Sequence, residues 1–534
     1  MSGYAELHCH SNFSFLDGAA HPEELATLAA ARGLDAIAIT DHGGLYAMVR
    51  FDVACRRAGI KPLLGCELTL EALPGFDTPD PGLLVDPIAN QAVRRAERGR
   101  HHLTLLVRNA TGFRNLCRLL SFANLSDERT ITQPARSAGG GTEEQELRVG
   151  THRKGFAAAR WELLAEHAEG LVALSGCKRF GIVPRLLRAG RRTEAAEVAS
   201  KLREVFGRDG FLLELQSHML PDDPWLTAAL AELGRDLDIP LVATNDVHLL
   251  EPIDKPVQDV LVAIRERATL DEMEARGYLA PNGERRIKSR EEMEEAVLGP
   301  GGRRTVIALE PWLKDAYLGA LDRTLEIAGR CDFKLDFSGS RFPGFTVPAG
   351  ETPFSYLYQL CQEGAKRRYR PMTAAVSRRL QTELEVIEKT GLAEFFLINW
   401  DLMRFAKAEG IPGQGRGSAA DSIVAYLLGI TRVDPVEHNL LFERFLHEEQ
   451  KSTPDIDIDF ASSRREEVIQ YIYDTYGQER TGMVANVVTF RPRLAIREVG
   501  KAMGFSPATV ERLAKSADSW YPEEALQAAR EAMS

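Results

Sequence analysis

The chain has 534 residues, enough at about 150 residues per domain for two to four domains, which excludes a peptide, a lone binding module or a disordered tail. Its 44% hydrophobic and 27% charged residues are those of an ordinary globular protein. With 66 basic and 77 acidic residues the net charge is −11, so bulk positive charge cannot hold nucleic acid and any such contact must be local.

The start, Met-Ser-Gly-Tyr-Ala-Glu, has neither the basic opening nor the apolar run of a signal peptide, and no later run approaches a membrane span. The expectation is a cytoplasmic chain without membrane contact. Seven cysteines, Cys9, Cys55, Cys66, Cys117, Cys177, Cys331 and Cys361, are scattered without a CxxC pair, which argues against a disulfide framework or a zinc knuckle.

From residue 4 to about 70 the pattern predicts a helix over 24–32, a buried strand over 36–40, a helix over 45–58 and a strand at 62–64. This βαβα order implies a parallel sheet with helices outside it. The rhythm resumes with strands expected at 102–107, 171–175, 211–215 and 241–244. Residues 74–100 and 127–154 interrupt it and read as surface insertions. Beyond Pro252 long charged helices are expected at 271–276, 289–297 and 314–331, so a domain boundary is placed near residue 265. Residues 337–353, rich in Gly, Pro and Phe, read as a connector. A helix follows over 378–391, with Leu380, Leu384 and Ile387 at helical spacing.

His8 and His10, two apart at the first strand, can share one face. Further ligand-type residues stand at the ends of expected strands: Asp17, Asp41-His42, Glu67, His102, Cys177 and Asp246-Val-His248. Imidazoles, carboxylates and one thiolate converging on one end of a barrel would suit Zn²⁺, Mn²⁺ or Fe ions. Clustered divalent ions activate water and clamp a phosphoryl group, which points to phosphoester hydrolysis. A single histidine of this kind is more often a surface or capping residue, and the reading rests on the series.

A second group begins at Gly413-Gln-Gly-Arg-Gly-Ser418, ahead of a helix expected over 419–428. A glycine-rich turn running into a helix exposes backbone N–H groups to a phosphate, with Arg416 adding charge and Ser418 a hydroxyl. Downstream, Pro454-Asp455-Ile456-Asp457-Ile458-Asp459-Phe460 alternates carboxylate and apolar residues at strand period. Three aspartates on one face repel unless a cation lies between them, and hard carboxylates suit Mg²⁺. Two such ions can activate a primer 3′-hydroxyl and steady the leaving pyrophosphate. An acidic edge strand that discourages aggregation is the plainer alternative. Arg491, Arg493, Arg497 and Lys501 could touch a DNA backbone, and a solvated helix face explains them equally well.

Residues 4–250 resemble the PHP (polymerase and histidinol phosphatase) domain, a distorted β/α barrel. The resemblance implies metal binding by His8, His10, Asp17, His42, Glu67, His102, Cys177, Asp246 and His248, with up to three Zn²⁺ or Mn²⁺ ions. His102 is preferred to His101 because it directly precedes Leu-Thr-Leu-Leu.

Gly-Arg-Gly-Ser-Ala-Ala, Leu-Leu-Phe-Glu-Arg-Phe-Leu and Pro-Asp-Ile-Asp-Ile-Asp-Phe resemble the palm of bacterial C-family DNA polymerases, the DNA polymerase III alpha subunits. Residues 464–473, with Val-Val-Thr-Phe-Arg-Pro-Arg and Ile-Arg-Glu-Val-Gly-Lys, are most similar to the error-prone branch used in damage-induced mutagenesis. The fold class implied is α/β, a distorted PHP β/α barrel over 1–265 followed by a mixed α/β nucleotidyltransferase-type palm over 266–486 and an incomplete helical thumb over 487–534. Catalysis and Mg²⁺ binding are carried over to Asp455 and Asp457, with Asp459 beside them, and nucleotide contact to Arg416, Gly417, Ser418 and Arg444. The turn His447-Glu-Glu-Gln450 departs from the family's pattern.

The implied partners are a DNA primer-template and dNTPs, with a sliding clamp and mutagenesis accessory proteins reached through regions not in the chain. Because the family's third catalytic aspartate arrives only after an inserted thumb, and 77 residues follow Asp457, the chain is expected to stop within that thumb and not to polymerise alone. The alternatives are a metal-dependent phosphoesterase or 3′ to 5′ exonuclease in the barrel, and a non-catalytic remnant.

Overall fold

Short runs of buried aliphatic residues form the strands of the first of two units, as seen in a computed structural model. The structure describes residues 3–71, 101–124, 127–136, 142–151, 157–299, 310–337, 344–447, 454–477 and 480–517, with single positions 524, 527 and 530. The units are Met1–Leu335 with Thr489–Ser534, and Asp336–Val488.

In the first unit a seven-stranded sheet runs in the order β1 (Ala5–Glu6), β2 (Ala36–Ile39), β3 (Lys61–Leu70), β4 (His101–Val107), β7 (Leu171–Leu174), β8 (Phe211–Leu215) and β9 (Leu241–Ala243). It curls until its edges meet. His10 N donates to Val247 O at 2.8 Å and Val247 N donates to His8 O at 2.9 Å, closing one rim. Helices such as Pro22–Ala31, Met48–Ala58 and Asp223–Leu237 bury their apolar faces against the strands, with Leu25, Phe51 and Leu230 in one core.

The sheet is not all parallel. β1–β2–β3 and β7–β8–β9 pair in parallel, whereas β4 is antiparallel to both β3 and β7. The reversal matters for the site, because it brings the N-terminal end of β4, where His102 stands opposite Thr69, to the rim formed by the C-terminal ends of its neighbours.

The expected boundary near residue 265 lies inside this unit. Helix Pro311–Arg330 contributes Leu313, Tyr317 and Leu321 to the barrel core, and Thr324 Oγ1 accepts from Ala5 N at 3.1 Å. Helix Pro492–Ala502, from the region expected as thumb, places Ala502 in a small cluster with Val262, Ala263 and Met273. The insertion expected over 127–154 contains a two-stranded hairpin, β5 (Asp127–Arg136) against β6 (Thr142–Thr151). The one expected over 74–100 lies outside the described residues.

Among the described residues the second unit is helical apart from a two-stranded antiparallel sheet, β10 (Gly413–Arg416) with β11 (Asp457–Phe460). Helices Pro353–Arg368, Ala374–Thr390 and Ala393–Ala408 share a core built on Leu357, Leu380, Leu384, Ile387 and Phe396. The helix expected over 419–428 divides into a 3₁₀ turn, Gly417–Asp421, and a short helix, Ile423–Leu428. Ser422 causes the break: its backbone is extended (φ −100°, ψ 125°) and its side chain caps the helix by accepting from Ala425 N. Among the described residues no helix is long and apolar enough to cross a membrane.

Candidate metal centre and nucleotide site

The nine barrel residues singled out above all reach one end of the curled sheet. Seven of them make three donor sets whose ligand atoms lie within 4.8 Å of one another: His10, His42 and His248; His8, His10 and Asp246; and His42, Glu67 and His102. His8 and His10 follow β1, and Glu67 lies in β3, held beside His42 by a parallel bridge. Asp246 has φ 46°, a left-handed conformation that aspartate tolerates better than most residues.

The two remaining residues sit at the edge of these sets. Asp17 Oδ2 lies 3.1 Å from His42 Nε2 and 3.7 Å from His248 Nε2. Cys177 is buried and lines the same cavity, its Sγ accepting from Phe180 N at 3.4 Å. His101 does not join any set: it is buried on β4 with neither ring nitrogen hydrogen-bonded, and burial, then Arg185, push its pKa down to about 3.

The electrostatics are those of a cation site. Burial works to raise the pKa of Glu67, but His102 and His42 hold it well below the usual carboxylate range, as Arg285 and His248 do for Asp246 and Arg265 and His248 do for Asp17. Burial opposes charge on His8 and His42 as well. It is outweighed by Glu214, Asp246 and Glu67 around His8 and by Glu67 and Asp17 around His42, and both rise to about 10. His10 is pushed down by burial and by its histidine neighbours.

Both Glu67 oxygens and Asp246 Oδ1 are buried without a hydrogen-bond partner, although His42 Nδ1 comes within 2.6 Å of Glu67 Oε2. Short approaches lacking hydrogen-bond geometry, among imidazoles and carboxylates alone, fit a donor set for divalent ions. A cavity of about 280 Å³ opens onto the cluster, lined by Lys178, Arg179, Arg188, Arg265 and Arg285. Four of these cations are paired, Lys178 with Asp223, Arg188 with Asp222, Arg265 with Asp17 and Arg285 with Asp246, so the lining balances the cluster's carboxylates.

Sequence reasoning passed over several residues. Glu214 lies 2.7 Å from His8 Nδ1, and its signal was a carboxylate inside the buried run Phe-Leu-Leu-Glu-Leu. Arg265 and Arg285 contact Asp17 at 3.1 Å and Asp246 at 2.5 Å, and nothing in their local sequence marks them.

In the second unit β10 and β11 put the glycine-rich turn beside the aspartates, with Arg416 opposite Asp457 and Gln414 opposite Asp459. Asp455, Asp457 and Asp459 are exposed, while Ile456, Ile458 and Phe460 turn inward. Arg416 Nε lies 3.3 Å from Asp459 Oδ2. Gly417, at φ 66°, takes a conformation that favours glycine, and a Cβ there would stand 3.9 Å from Asp457 Oδ2. Ser418 is half-buried in the 3₁₀ turn, and the exposed Arg444 reaches Asp421 Oδ2 at 3.9 Å.

The helix following the turn does not offer its N–H groups to a ligand. Buried Glu383 accepts from Ile423 N at 3.0 Å, Val424 N at 3.2 Å and Ser422 Oγ at 2.8 Å, and burial raises its pKa to about 7. Any phosphate would meet the turn itself. Glu383 was legible as the one acid on the apolar stripe of Leu380, Leu384 and Ile387. Arg497 and Lys501 are paired with Glu511 and Glu498, and Glu448–Gln450 of the departing turn lie outside the described residues.

Comparison with known proteins matches residues 6–218 to the PHP domain and residues 355–534 to the bacterial DNA polymerase III alpha NTPase domain. The chain is 39% identical over 513 residues to an error-prone DNA polymerase of Symbiobacterium thermophilum, covering 96% of this chain and 42% of that protein. It is 38% identical to an error-prone DNA polymerase of Cutibacterium acnes, covering 94% and 39%. It is 35% identical to the DNA polymerase III subunit alpha of Treponema pallidum, covering 96% and 39%. The chain thus spans about two-fifths of the length of these curated relatives.

Proposed function

Because the chain belongs to the family that joins a PHP domain to a bacterial DNA polymerase III alpha NTPase domain, we propose that its second unit carries part of the nucleotidyl-transfer site of an error-prone, DNA-directed DNA polymerase. The carrying observation is the β10–β11 pairing, which sets the Gly417 turn against the face bearing Asp455, Asp457 and Asp459. Asp455 and Asp457 would hold Mg²⁺, which when bound lowers the cost of ionising a primer 3′-hydroxyl and of releasing pyrophosphate. Asp459 stands beside them and orients Arg416. Gly417, Ser418, Arg416 and Arg444 would contact the triphosphate of a dNTP, with a primer-template as the second substrate.

The test is Mg²⁺-dependent primer extension, by the chain and by a chimera in which it replaces the matched region of the Symbiobacterium relative. Template-directed extension by the chimera, abolished by Asp457→Ala, is the expected result. Extension that survives the substitution refutes the aspartate assignment.

A second reading applies to the first unit, favoured by the donor sets beneath a cation-lined cavity. The barrel would hold Zn²⁺ or Mn²⁺ and cleave phosphoesters, as a 3′ to 5′ exonuclease. Metal analysis of the purified chain should find at least one tightly bound transition metal, with nuclease activity lost on chelation. Metal that raises the melting temperature without any nuclease activity would leave only a stabilising role.

A further inference from the structure

We propose that Glu214 and the Ser14–Asp41 pair are positioning residues that lock the rings of His8 and His10, so that both turn Nε2 towards one divalent cation. The inference rests on the metal reading of the barrel. Glu214 Oε1 serves here as an acceptor, so His8 Nδ1, 2.7 Å from it, carries a proton and donates it. That oxygen also accepts from Gln216 Nε2 at 2.9 Å and from the Thr244 hydroxyl, so β8 and the end of β9 fix where it stands.

On the other ring, Ser14 has one hydroxyl proton and gives it to Asp41 Oδ1 at 2.7 Å. Asp41 is itself held by Ser11 N at 2.7 Å and Ser11 Oγ at 2.8 Å. The Ser14 oxygen is therefore left to accept, and His10 Nδ1, 2.9 Å away, donates to it. With both Nδ1 atoms committed to donation, both Nε2 atoms point inward, 3.1 Å apart. Asp246 Oδ1 lies 3.6 Å from the first and 3.5 Å from the second. Two imidazole nitrogens and a carboxylate converging in this way call for a shared cation, and an outer carboxylate or hydroxyl on each histidine is the usual means of holding such rings.

Competitive zinc titration of the full chain tests this with wild type, Glu214→Leu, Ser14→Ala and Ser14→Thr. Glu214→Leu and Ser14→Ala are expected to bind zinc roughly 10- to 100-fold more weakly, while Ser14→Thr, which keeps the hydroxyl, stays close to wild type. Histidine ¹⁵N spectra of the zinc-loaded wild type should show Nδ1–H and metal-bound Nε2 for both rings. Should Glu214→Leu fail to fold, Glu214→Gln keeps an acceptor oxygen, and a smaller loss of affinity is expected. Wild-type affinity in both Glu214→Leu and Ser14→Ala, or metal on Nδ1, overturns the proposal. A wild type that binds no zinc overturns the metal reading instead, and a His10 spectrum with the proton on Nδ1 then still upholds the ring assignment, while one with it on Nε2 defeats it.

Discussion

Replacing Glu383 with alanine removes the acceptor that closes the helix after the glycine-rich turn. The amides of Ile423 and Val424, which donate to it at 3.0 and 3.2 Å, sit in residues with no exposed surface. Each buried N–H left unpaired costs about 1 to 3 kcal/mol, so the pair alone predicts a loss of about 2 to 6 kcal/mol, the lower end applying if water enters the space. Ser422 Oγ also loses its acceptor at 2.8 Å, although its own capping of Ala425 is untouched. The assay is hydrogen exchange by mass spectrometry on peptides covering residues 417–430, alongside urea unfolding. Faster exchange confined to this segment and a lower unfolding midpoint are expected, with Glu383→Gln falling between wild type and alanine. Unchanged protection of the Ile423 and Val424 amides would refute the reasoning, because it would mean that the carboxylate does not hold the helix start.

The remaining predictions concern protons, backbone and packing. His8 and His42 both have pKa values raised to about 10, so at neutral pH both hold a proton that an incoming metal must displace. Zinc affinity should then rise with pH between 6 and 8, by up to about two decades per pH unit, and an affinity independent of pH would contradict this. Gly417→Val places a β-branched residue at φ 66°, costing roughly 1–2 kcal/mol or more, and should raise the KM for dNTP in the chimera without abolishing turnover. Tyr317→Phe removes a buried hydroxyl that donates to Met293 O at 3.1 Å; because that carbonyl lies within helix Arg290–Leu298 and keeps its helical partner, the loss should be only about 0.5 to 1.5 kcal/mol, read as a slightly lower melting temperature.

Much of the barrel was legible because its signals are local. Period and composition place the strand at 211–215 as found, and Ser289 and Thr269 stand as caps where the charged helices begin. Direction is not local. The run from residue 102 to 107 has the same texture as a parallel strand, and its reversal follows from which neighbours it pairs with, a non-local choice. The boundary near 265 reflects a change from buried strands to charged helices, whereas Leu313 and Tyr317 complete the barrel core from the far side of that change. Ligand-type residues at strand ends could be found one by one. The cations that face them, Arg265 and Arg285, arrive from a helix and a loop, 248 and 39 residues away in sequence from Asp17 and Asp246.

The two sites differ in a way that bears on how each would meet its metal. In the barrel both Glu67 oxygens and Asp246 Oδ1 are already buried without a hydrogen-bond partner, while Asp246 Oδ2 accepts from Arg285, so the cost of stripping water from those three oxygens has been met by folding, and an arriving divalent ion recovers it as affinity. On the proposed reading such an ion is resident, retained through purification and coupled to stability. The aspartates of β11 remain exposed to water, and Asp459 is paired with the equally exposed Arg416. Ions held there must compete with full hydration, and Mg²⁺ gives up its water reluctantly, so binding would be weak until triphosphate oxygens complete the coordination. Net charge of −11 is consistent with both arrangements, since it counts the carboxylates of each site while the cations beside them, Arg265 and Arg285 paired with Asp17 and Asp246 in one unit and Arg416 and Arg444 in the other, are few and local.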